Sequence, residues 1–203
     1  MDYKNVGIYS KVLDTAASSE PIAVSEAKNF LRVDTNEDDA FIGTIISSAR
    51  EYVEEFTGYQ LLSATWIQYL DRFPYKANQA IELLMNPVSA ITHIKYYDSD
   101  NTLQTWSSSN YDTDLKGKPA RITKSYNTTY PTTYERTNAV EIKFVAGYAS
   151  TSSTGFPKQL LNAMYLIIGH LYENRQDVIV GKIAYEIPKG ADSILRKYRL
   201  FNF

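Results

Sequence analysis

The hydrophobic period of this 203-residue chain changes twice, from helical to alternating and back to helical. Apolar residues within 41–56 recur three and four positions apart, which predicts an amphipathic helix over 37–57, and a shorter one is expected over 24–32. Residues 64–146 instead contain about seven short β-branched and aromatic runs separated by turn sequences. From Phe156 the helical spacing returns. This order predicts an α+β fold, a helical bundle of N- and C-terminal helices with an inserted small antiparallel β domain.

The same pattern suggests where the segments begin and end. Residues 1–20 show no clear period and are interpreted as an N-terminal arm. We expect a helical domain from 21–60 and 156–203, an inserted β domain at 61–148, and a linker at 149–155, which reads A-S-T-S-S-T-G. The helix after Phe156 is apolar on more than one face. It is therefore either the central helix of a compact monomer or a helix whose second face meets a neighbouring copy.

Composition excludes several classes of function. The chain has no cysteine, so disulfides, thiol catalysis and cysteine-based metal sites are excluded. The net charge of −2 provides no overall basic field for nucleic acid or an anionic membrane. The first ten residues lack the apolar segment of a signal peptide, and the most apolar run, 163–169, is far shorter than the ~20 residues that span a bilayer. We expect a cytoplasmic origin and no membrane partner.

Catalytic motifs are also missing from the sequence. The two histidines, His93 and His170, lie far apart and outside H-E-x-x-H and H-x-H patterns. The chain contains no G-x-S-x-G, P-loop or G-x-G-x-x-G motif. Because no nucleophile–base pair or metal set can be assembled, we expect no enzyme activity, no catalytic residue and no cofactor.

An acidic cluster at 33–42, V-D-T-N-E-D-D-A-F-I, resembles the D-x-N-x-D opening of a calcium loop. An EF-hand also needs glycine at position six and glutamate at position twelve, but these positions hold Asp39 and Ile45. We therefore expect no metal, and interpret the cluster as a helix N-terminus with a side-chain cap and a capping-box-like pair. The residues predicted to form this cap are Thr35, Asn36, Asp38 and Asp39.

Tyrosine is abundant, with 17 residues in the chain. Tyrosine is enriched in protein interfaces, although it is also favoured in β-strands. Within the predicted β domain, residues 125–138 form a polar stretch rich in threonine and tyrosine, which is expected to be an exposed loop. One hypothesis is therefore a β-domain binding module, for a carbohydrate or protein ligand, carried on a helical adaptor.

Charge is distributed unevenly between the two helical segments. Residues 20–58 contain nine acidic and three basic residues, a net charge of −6. Residues 156–203 contain seven basic and four acidic residues, a net charge of +3. The two segments could attract each other within one subunit or between neighbouring subunits, and the sequence leaves both possibilities open.

Six stretches of the chain match one known pattern, in the same order. The first two are P-I-A-V-S-E-A-K-N-F-L-R-V-D at 21–34 and D-D-A-F-I-G-T-I-I-S-S-A-R-E-Y-V-E-E-F-T-G at 38–58. The others are W-I-Q-Y-L-D-R-F-P at 66–74, N-P-V-S-A-I-T-H-I-K-Y-Y-D at 86–98, A-V-E-I-K-F-V-A-G-Y at 139–148 and P-K-Q-L-L-N-A-M-Y-L-I-I-G-H-L-Y-E-N-R at 157–175. Together they resemble the head–tail connector (neck adaptor) family of tailed bacteriophages, in its long form with an inserted β domain.

The resemblance implies a structural virion protein at the head–tail joint. Members of this family form a homo-oligomeric ring, commonly of twelve subunits, which binds the portal protein and extends the DNA channel towards the tail. The implied partners are further copies of the chain, the portal, the next neck or tail protein, and double-stranded DNA that passes without sequence-specific binding. The implied location is the virion, with assembly in the host cytoplasm.

Two sets of residues are candidates for this role. Acidic residues on the polar side of the second helix would repel rather than hold DNA if they faced the channel. The channel-facing candidates are Glu51, Glu54 and Glu55. The C-terminal tail is too aromatic for a free linker, so we expect it to dock on the portal, with a frayed end as the alternative. The portal-contact candidates are Arg196, Lys197, Tyr198, Arg199, Phe201 and Phe203.

Overall fold

A computed structural model of the chain describes residues 10–76, 79–175 and 188–200. These residues form four α-helices and eight β-strands, which confirms the predicted α+β class. The chain divides into two compact units. Of the described residues, the helical unit comprises 18–62, 148–175 and 188–199, and the sheet unit comprises 10–17, 63–76, 79–147 and Leu200.

The helical unit is built around one central helix. Its helices are α1 (Val24–Leu31), α2 (Asp39–Thr57), α3 (Lys158–Glu173) and α4 (Lys189–Tyr198). Helix α3 packs against each of the other three, because its apolar residues extend over more than one face. The residues that α3 buries are Leu160, Ala163, Met164, Ile167 and Ile168.

Helix α2 follows the predicted apolar period closely and ends where the sequence indicates. Its buried stripe runs from Ile42 to Val53 at helical spacing. The helix ends at Thr57, because Gly58 adopts a left-handed conformation with φ of 74° and donates its N–H to the Glu54 carbonyl. It begins at Asp39, two residues later than expected.

The sheet unit contains two antiparallel sheets. The strands are β1 (Ser10–Thr15), β2 (Ala64–Leu70), β3 (Ile81–Glu82), β4 (Val88–Tyr97), β5 (Leu103–Thr105), β6 (Tyr111–Asp114), β7 (Arg121–Lys124) and β8 (Val140–Ala146). Five of them form a sheet in the order β1-β2-β8-β4-β5, and three form a second sheet in the order β3-β7-β6. Strand β8 lies at the centre of the larger sheet and is paired on both sides.

Strand β1 corrects the prediction of an N-terminal arm. Ser10 lies opposite Tyr69 and Leu13 opposite Trp66, so this segment is an edge strand paired with β2. Its residues show no strand period, because an edge strand that is exposed on both faces needs no alternation of apolar and polar residues. Residues 1–9 of the predicted arm lie outside the described residues, and 16–20 connect β1 to the helical unit without forming a helix or strand.

The core of the sheet unit lies between its two sheets. Along β8, Val140, Ile142 and Phe144 are buried, whereas the alternate residues Glu141 and Lys143 are only partly buried. The same cluster includes Ile81 of β3 and Ile122 of β7, together with residues from β2 and β4. The unit is therefore a small sandwich with one continuous apolar core.

Two buried side-chain amides form hydrogen bonds with the backbone of β3 and of the segment between β3 and β4. The Gln68 amide donates to the Glu82 carbonyl (2.9 Å) and accepts from the Leu84 N–H (3.0 Å). The Asn86 amide accepts from the Ala120 N–H at 2.8 Å and donates to the Leu83 carbonyl at 3.0 Å. Because an amide can donate and accept at once, each side chain satisfies two buried backbone groups.

Candidate functional site

The acidic turn at 34–39 connects α1 to α2 through a lysine. Lys28 Nζ, in α1, donates to Asn36 Oδ1 at 2.6 Å and to Asp39 Oδ1 at 2.8 Å. No side chain caps the N-terminus of α2, whose N-cap residue is Asp38. The predicted cap formed by Thr35 and Asn36 is therefore wrong: the helix begins at Asp39, and the Asn36 oxygen is occupied by Lys28.

Asp38 connects the same turn to the end of α3. Its Oδ2 accepts hydrogen bonds from Tyr172 Oη (2.7 Å) and from Arg175 Nη2 (2.6 Å). The Arg175 guanidinium also stacks over the rings of Tyr172 and Phe41, at 4.8 and 4.7 Å from their centroids. Arg175 and Tyr172 lower the pKa of the Asp38 carboxyl, and Asp38 in turn raises the pKa of the Tyr172 hydroxyl. The acidic cluster is thus a junction between three helices.

The junction leaves no arrangement suited to a metal. Among residues 10–76, 79–175 and 188–200, no group of three histidine, cysteine or acidic side chains could hold a metal ion. In the same residues, no helix combines the length and apolar character that crossing a bilayer requires.

Glu54 is buried, and this corrects its assignment to a channel-facing surface. Only 5% of the residue is exposed. Its carboxylate accepts from Arg50 Nη1 (2.8 Å), Gln60 Nε2 (2.8 Å) and the Leu61 N–H (2.9 Å). Burial raises the pKa of this carboxyl, while the Leu61 N–H and Arg50 act in the opposite direction. Arg50 Nε also donates to Glu20 Oε2 at 2.8 Å, so this arginine links Glu54 to Glu20 as well.

The sequence E-x-x-T-G at 54–58 is explained by how α2 ends. The Glu54 carboxylate holds the segment that follows the helix through its bond to the Leu61 N–H. Thr57 Oγ1 donates to the Val53 carbonyl at 2.6 Å and accepts from the Tyr59 N–H at 3.1 Å. Gly58 provides the left-handed residue. Each named position of the motif therefore contributes to the helix end, and Glu54 has a structural role.

Glu51 and Glu55 lie on the exposed side of α2. The Glu51 side chain is 71% exposed, and its carboxylate lies 3.2 Å from Arg50 Nη2. Glu55 is also exposed. These two carboxylates are accessible to a neighbouring molecule, whereas the Glu54 carboxylate is not.

Several portal-contact candidates belong to α4 rather than to a tail. Tyr198 packs edge-on against Tyr59, with ring centroids 5.9 Å apart. The Arg199 guanidinium lies 5.4 Å from the Phe56 ring. Arg196 and Lys197 are exposed in the last turn of α4, where Arg196 Nε pairs with Asp192 Oδ2 at 2.7 Å. The remaining candidates, Phe201 and Phe203, lie outside the described residues.

Tyr52 is a surface residue that the sequence pattern assigned to the apolar stripe of α2. It is exposed and stacks on Phe56, with centroids 5.9 Å apart. Burial and the nearby charge of Asp192 raise the pKa of its hydroxyl. The residues Tyr52, Phe56, Arg196 and Arg199 therefore form a mixed aromatic and basic surface, called the α2–α4 patch. The i, i+4 spacing of Tyr52 and Phe56 was visible in the sequence, but the position of α4 was not.

A comparison with protein families decides the classification. The profile described as Phage gp6-like head-tail connector protein matches residues 21–129, just over half of the chain. The chain belongs to this family. It is thus a structural protein of the connector type, as the sequence resemblance implied. No curated protein matches the connector.

Solved structures share the fold of the connector over nearly its whole length. A chain from the neck of an empty gene transfer agent particle, computed with C6 symmetry, is 22% identical with a TM-score of 0.75, over 96% of the connector and 97% of that chain. A chain from the virion of the native particle is 21% identical with a TM-score of 0.74, over 95% and 96%. A chain from the native neck, computed with C12 symmetry, is 22% identical with a TM-score of 0.70, over 96% and 97%.

Proposed function

We propose that the connector forms a homo-oligomeric ring of twelve subunits at the head–tail joint of a phage-like virion. In this position it binds the portal, extends the DNA channel and presents a surface to the next neck or tail protein. The observation that carries the proposal is the family match over 21–129. The neck structures with the same fold, computed with sixfold and twelvefold symmetry, support a ring with twelve positions.

A ring requires two different surfaces of one subunit to meet between neighbours. The unequal charges of the two helical segments are partly used within one subunit, because Arg175 of the basic segment binds Asp38 of the acidic segment. The carboxylates of Glu51 and Glu55 and the basic groups of Arg196 and Lys197 remain at the surface. These exposed groups are the ones available for contacts between subunits, with the portal or along the channel.

The proposal is tested by mass measurement and negative-stain imaging of the connector, alone and mixed with its cognate portal. We expect a ring seated on the portal. A protein that stays monomeric and ignores the portal would overturn the proposal.

The α2–α4 patch and the residues that follow it are the proposed portal contact. Removing 196–203 also removes Tyr198, which packs on Tyr59, so a loss of binding could come from a damaged helix. Removing only 200–203 keeps α4 intact and is the sharper test. We expect this truncation to weaken portal binding, while Tyr126→Ala, at a position 90% exposed in the sheet unit, leaves it unchanged. Equal binding by the truncated and full-length chains would exclude the tail as a contact.

Glu51 and Glu55 are proposed to face the channel, where negative charge lets the duplex slide. Replacing both with lysine should increase the affinity of the assembled ring for double-stranded DNA, and more so at low salt, because each new cation can neutralise a phosphate. The matched control replaces two other exposed acids, Asp34 and Glu37, with lysine. Fluorescence anisotropy with labelled duplex compares the two rings. An equal gain in both would show that Glu51 and Glu55 do not line the channel.

A further inference from the structure

The sheet unit contains a cleft that none of the proposed connector contacts uses. Its volume is about 810 Å³, within the range of roughly 300–1,000 Å³ that is typical of ligand sites. One wall is the segment 71–75 after β2, and the other is the segment 129–137 before β8, with Lys124 of β7 also in the lining. The cleft is therefore formed mainly by two loops.

Both loops are held in place by hydrogen bonds to the backbone. The Asn138 N–H donates to Asp71 Oδ1 at 2.9 Å, which ties the end of one wall to the start of the other. The Tyr134 N–H donates to the Tyr97 carbonyl at 3.0 Å, which fixes the second wall to β4. Each wall also contains a proline. A cleft that is already ordered loses less conformational entropy when it binds a ligand.

The inner end of the cleft is aromatic and rigid. Phe73, only 4% exposed, stacks on Tyr130 with ring centroids 5.7 Å apart. Trp106 contacts both rings, at 5.1 and 5.6 Å. Tyr130 Oη donates to the Gln79 carbonyl at 2.7 Å, so its ring orientation is fixed.

Two guanidinium groups of the lining lie over aromatic rings. Arg72 lies over Tyr75 at 4.4 Å, and Arg136 lies over Tyr97 at 4.0 Å. Arg136 Nη1 also donates to Asn101 Oδ1 at 3.2 Å, which is a neutral partner. Stacking orients the guanidinium before a ligand arrives, and a carboxylate matches the fork of N–H donors that such a group presents.

We propose that this cleft binds an extended, acidic segment of a partner protein. The lining is net basic, with Arg72, Arg136 and Lys124 against Asp71 and Glu135. The two arginines and Lys124 would attract carboxylates, and the threonine hydroxyls of 129–137 would bond to an extended backbone. The rings of Tyr75 and Tyr134, 68% and 44% exposed, would pack on its side chains, which is typical of protein-binding surfaces.

The test uses the full-length protein and fluorescein-labelled decapeptides of alternating glutamate and proline, or of alternating lysine and proline. Anisotropy should show binding of the acidic peptide at least about tenfold tighter than binding of the basic one. The double variant Arg72→Ala with Arg136→Ala should weaken binding of the acidic peptide at least about tenfold. Arg72→Lys with Arg136→Lys should weaken binding of the acidic peptide less, because lysine keeps the positive charge but lacks the paired N–H donors of a guanidinium group.

The matched control removes two positive charges of the sheet unit that lie outside the cleft, with Lys116→Ala and Lys118→Ala. Melting curves verify that each variant is folded. The proposal is overturned if the control loses as much affinity as the cleft variant, or if the acidic peptide does not bind. It is also overturned if chitohexaose, a neutral oligosaccharide, binds instead and Tyr75→Ala abolishes that binding.

Discussion

The helical unit and the sheet unit differ in the polar groups of their interiors, although both have ion pairs nearer the surface, such as that of Lys143 with Asp14 in the sheet unit. In the helical unit the groups are charged: buried Glu54 binds Arg50, and partly buried Asp38 binds Arg175. In the core of the sheet unit the groups are the neutral amides of Gln68 and Asn86. The removal of a charged interior group and the removal of a neutral one should therefore differ in their cost and in the dependence of that cost on salt.

The difference follows from which backbone groups need a partner. Beyond the end of α2, the backbone group that needs a side-chain partner is the Leu61 N–H, which is a donor. A carboxylate suits this N–H because an ionised carboxylate only accepts hydrogen bonds. Around β3 both a carbonyl, that of Glu82, and an N–H, that of Leu84, need partners. The Gln68 amide can bond to both, whereas a carboxylate could not donate to the carbonyl.

The largest effect is expected when Glu54 is removed. Glu54→Ala leaves the partly buried Arg50 with one carboxylate fewer and leaves the Leu61 N–H without its acceptor, which should cost about 3 kcal/mol of unfolding free energy. Urea unfolding measures the loss. The matched control is Glu55→Ala, the same change at the exposed neighbour, which should stay within about 0.5 kcal/mol. Similar losses in both variants would contradict a special role for Glu54.

A smaller effect is expected from Gln68→Leu in the sheet unit. The substitution keeps the approximate volume but leaves the Glu82 carbonyl and the Leu84 N–H without their partner, at a cost of about 1–3 kcal/mol. Because no charge is lost, the cost should be the same at low and high salt. Gln104→Leu, at an exposed position of β5, is the control and should change stability by less than about 0.5 kcal/mol. A salt-dependent cost for Gln68→Leu would remove the distinction between the units.

Asp38 should make the helical unit sensitive to acid. Its carboxyl has a lowered pKa in the folded chain, so its stabilising contribution is complete above the unfolded pKa of about 3.9 and is lost as the pH falls through the folded value. Asp38→Asn should therefore have a lower Tm than the parent at pH 7, and the two values should converge as the pH falls below about 4. Thermal melts between pH 7 and 2 measure this. Glu37→Gln, an exposed neighbour, should follow the parent curve, and a constant difference for Asp38→Asn would contradict the assignment.

The smallest effect is expected at the positions that the sequence marked as a cap. Thr35→Ala combined with Asn36→Ala removes only the exposed contact from Lys28 to Asn36, so we expect a change within about 0.5 kcal/mol. A side-chain cap would instead be worth about 1 kcal/mol. A loss of that size or more in urea unfolding would show that the cap forms in solution.

Local periodicity was sufficient where one face of an element is buried and the other is not. The apolar spacing within 41–56 predicted α2, whose buried stripe runs from Ile42 to Val53. The runs predicted as strands over 64–146 include β8, where Val140, Ile142 and Phe144 alternate with partly buried residues. Burial imposes these spacings directly on the sequence. Strand β1 was missed because it is an exposed edge strand, so neither spacing is imposed on it.

The burial and the contacts of polar residues were harder to predict, because the sequence does not show whether a charged side chain will have a partner in the folded protein. Glu54 was grouped with Glu51 and Glu55 on the polar side of α2, but its carboxylate is bound by Arg50, Gln60 and Leu61 together. Asp38 was assigned to a helix cap from its neighbours, although its actual partner Arg175 lies 137 residues away.

The sequence by itself determined the α+β class, the helical and strand periods, and the resemblance to head–tail connectors. The tertiary structure decided what the charged residues do: it made the acidic turn a junction of three helices, buried Glu54 and left Glu51 and Glu55 exposed. The physical reason is that these two kinds of property depend on interactions over different distances along the chain. Hydrophobic spacing is a local property of one element, whereas the state of a charge depends on groups that only folding brings within a few ångströms.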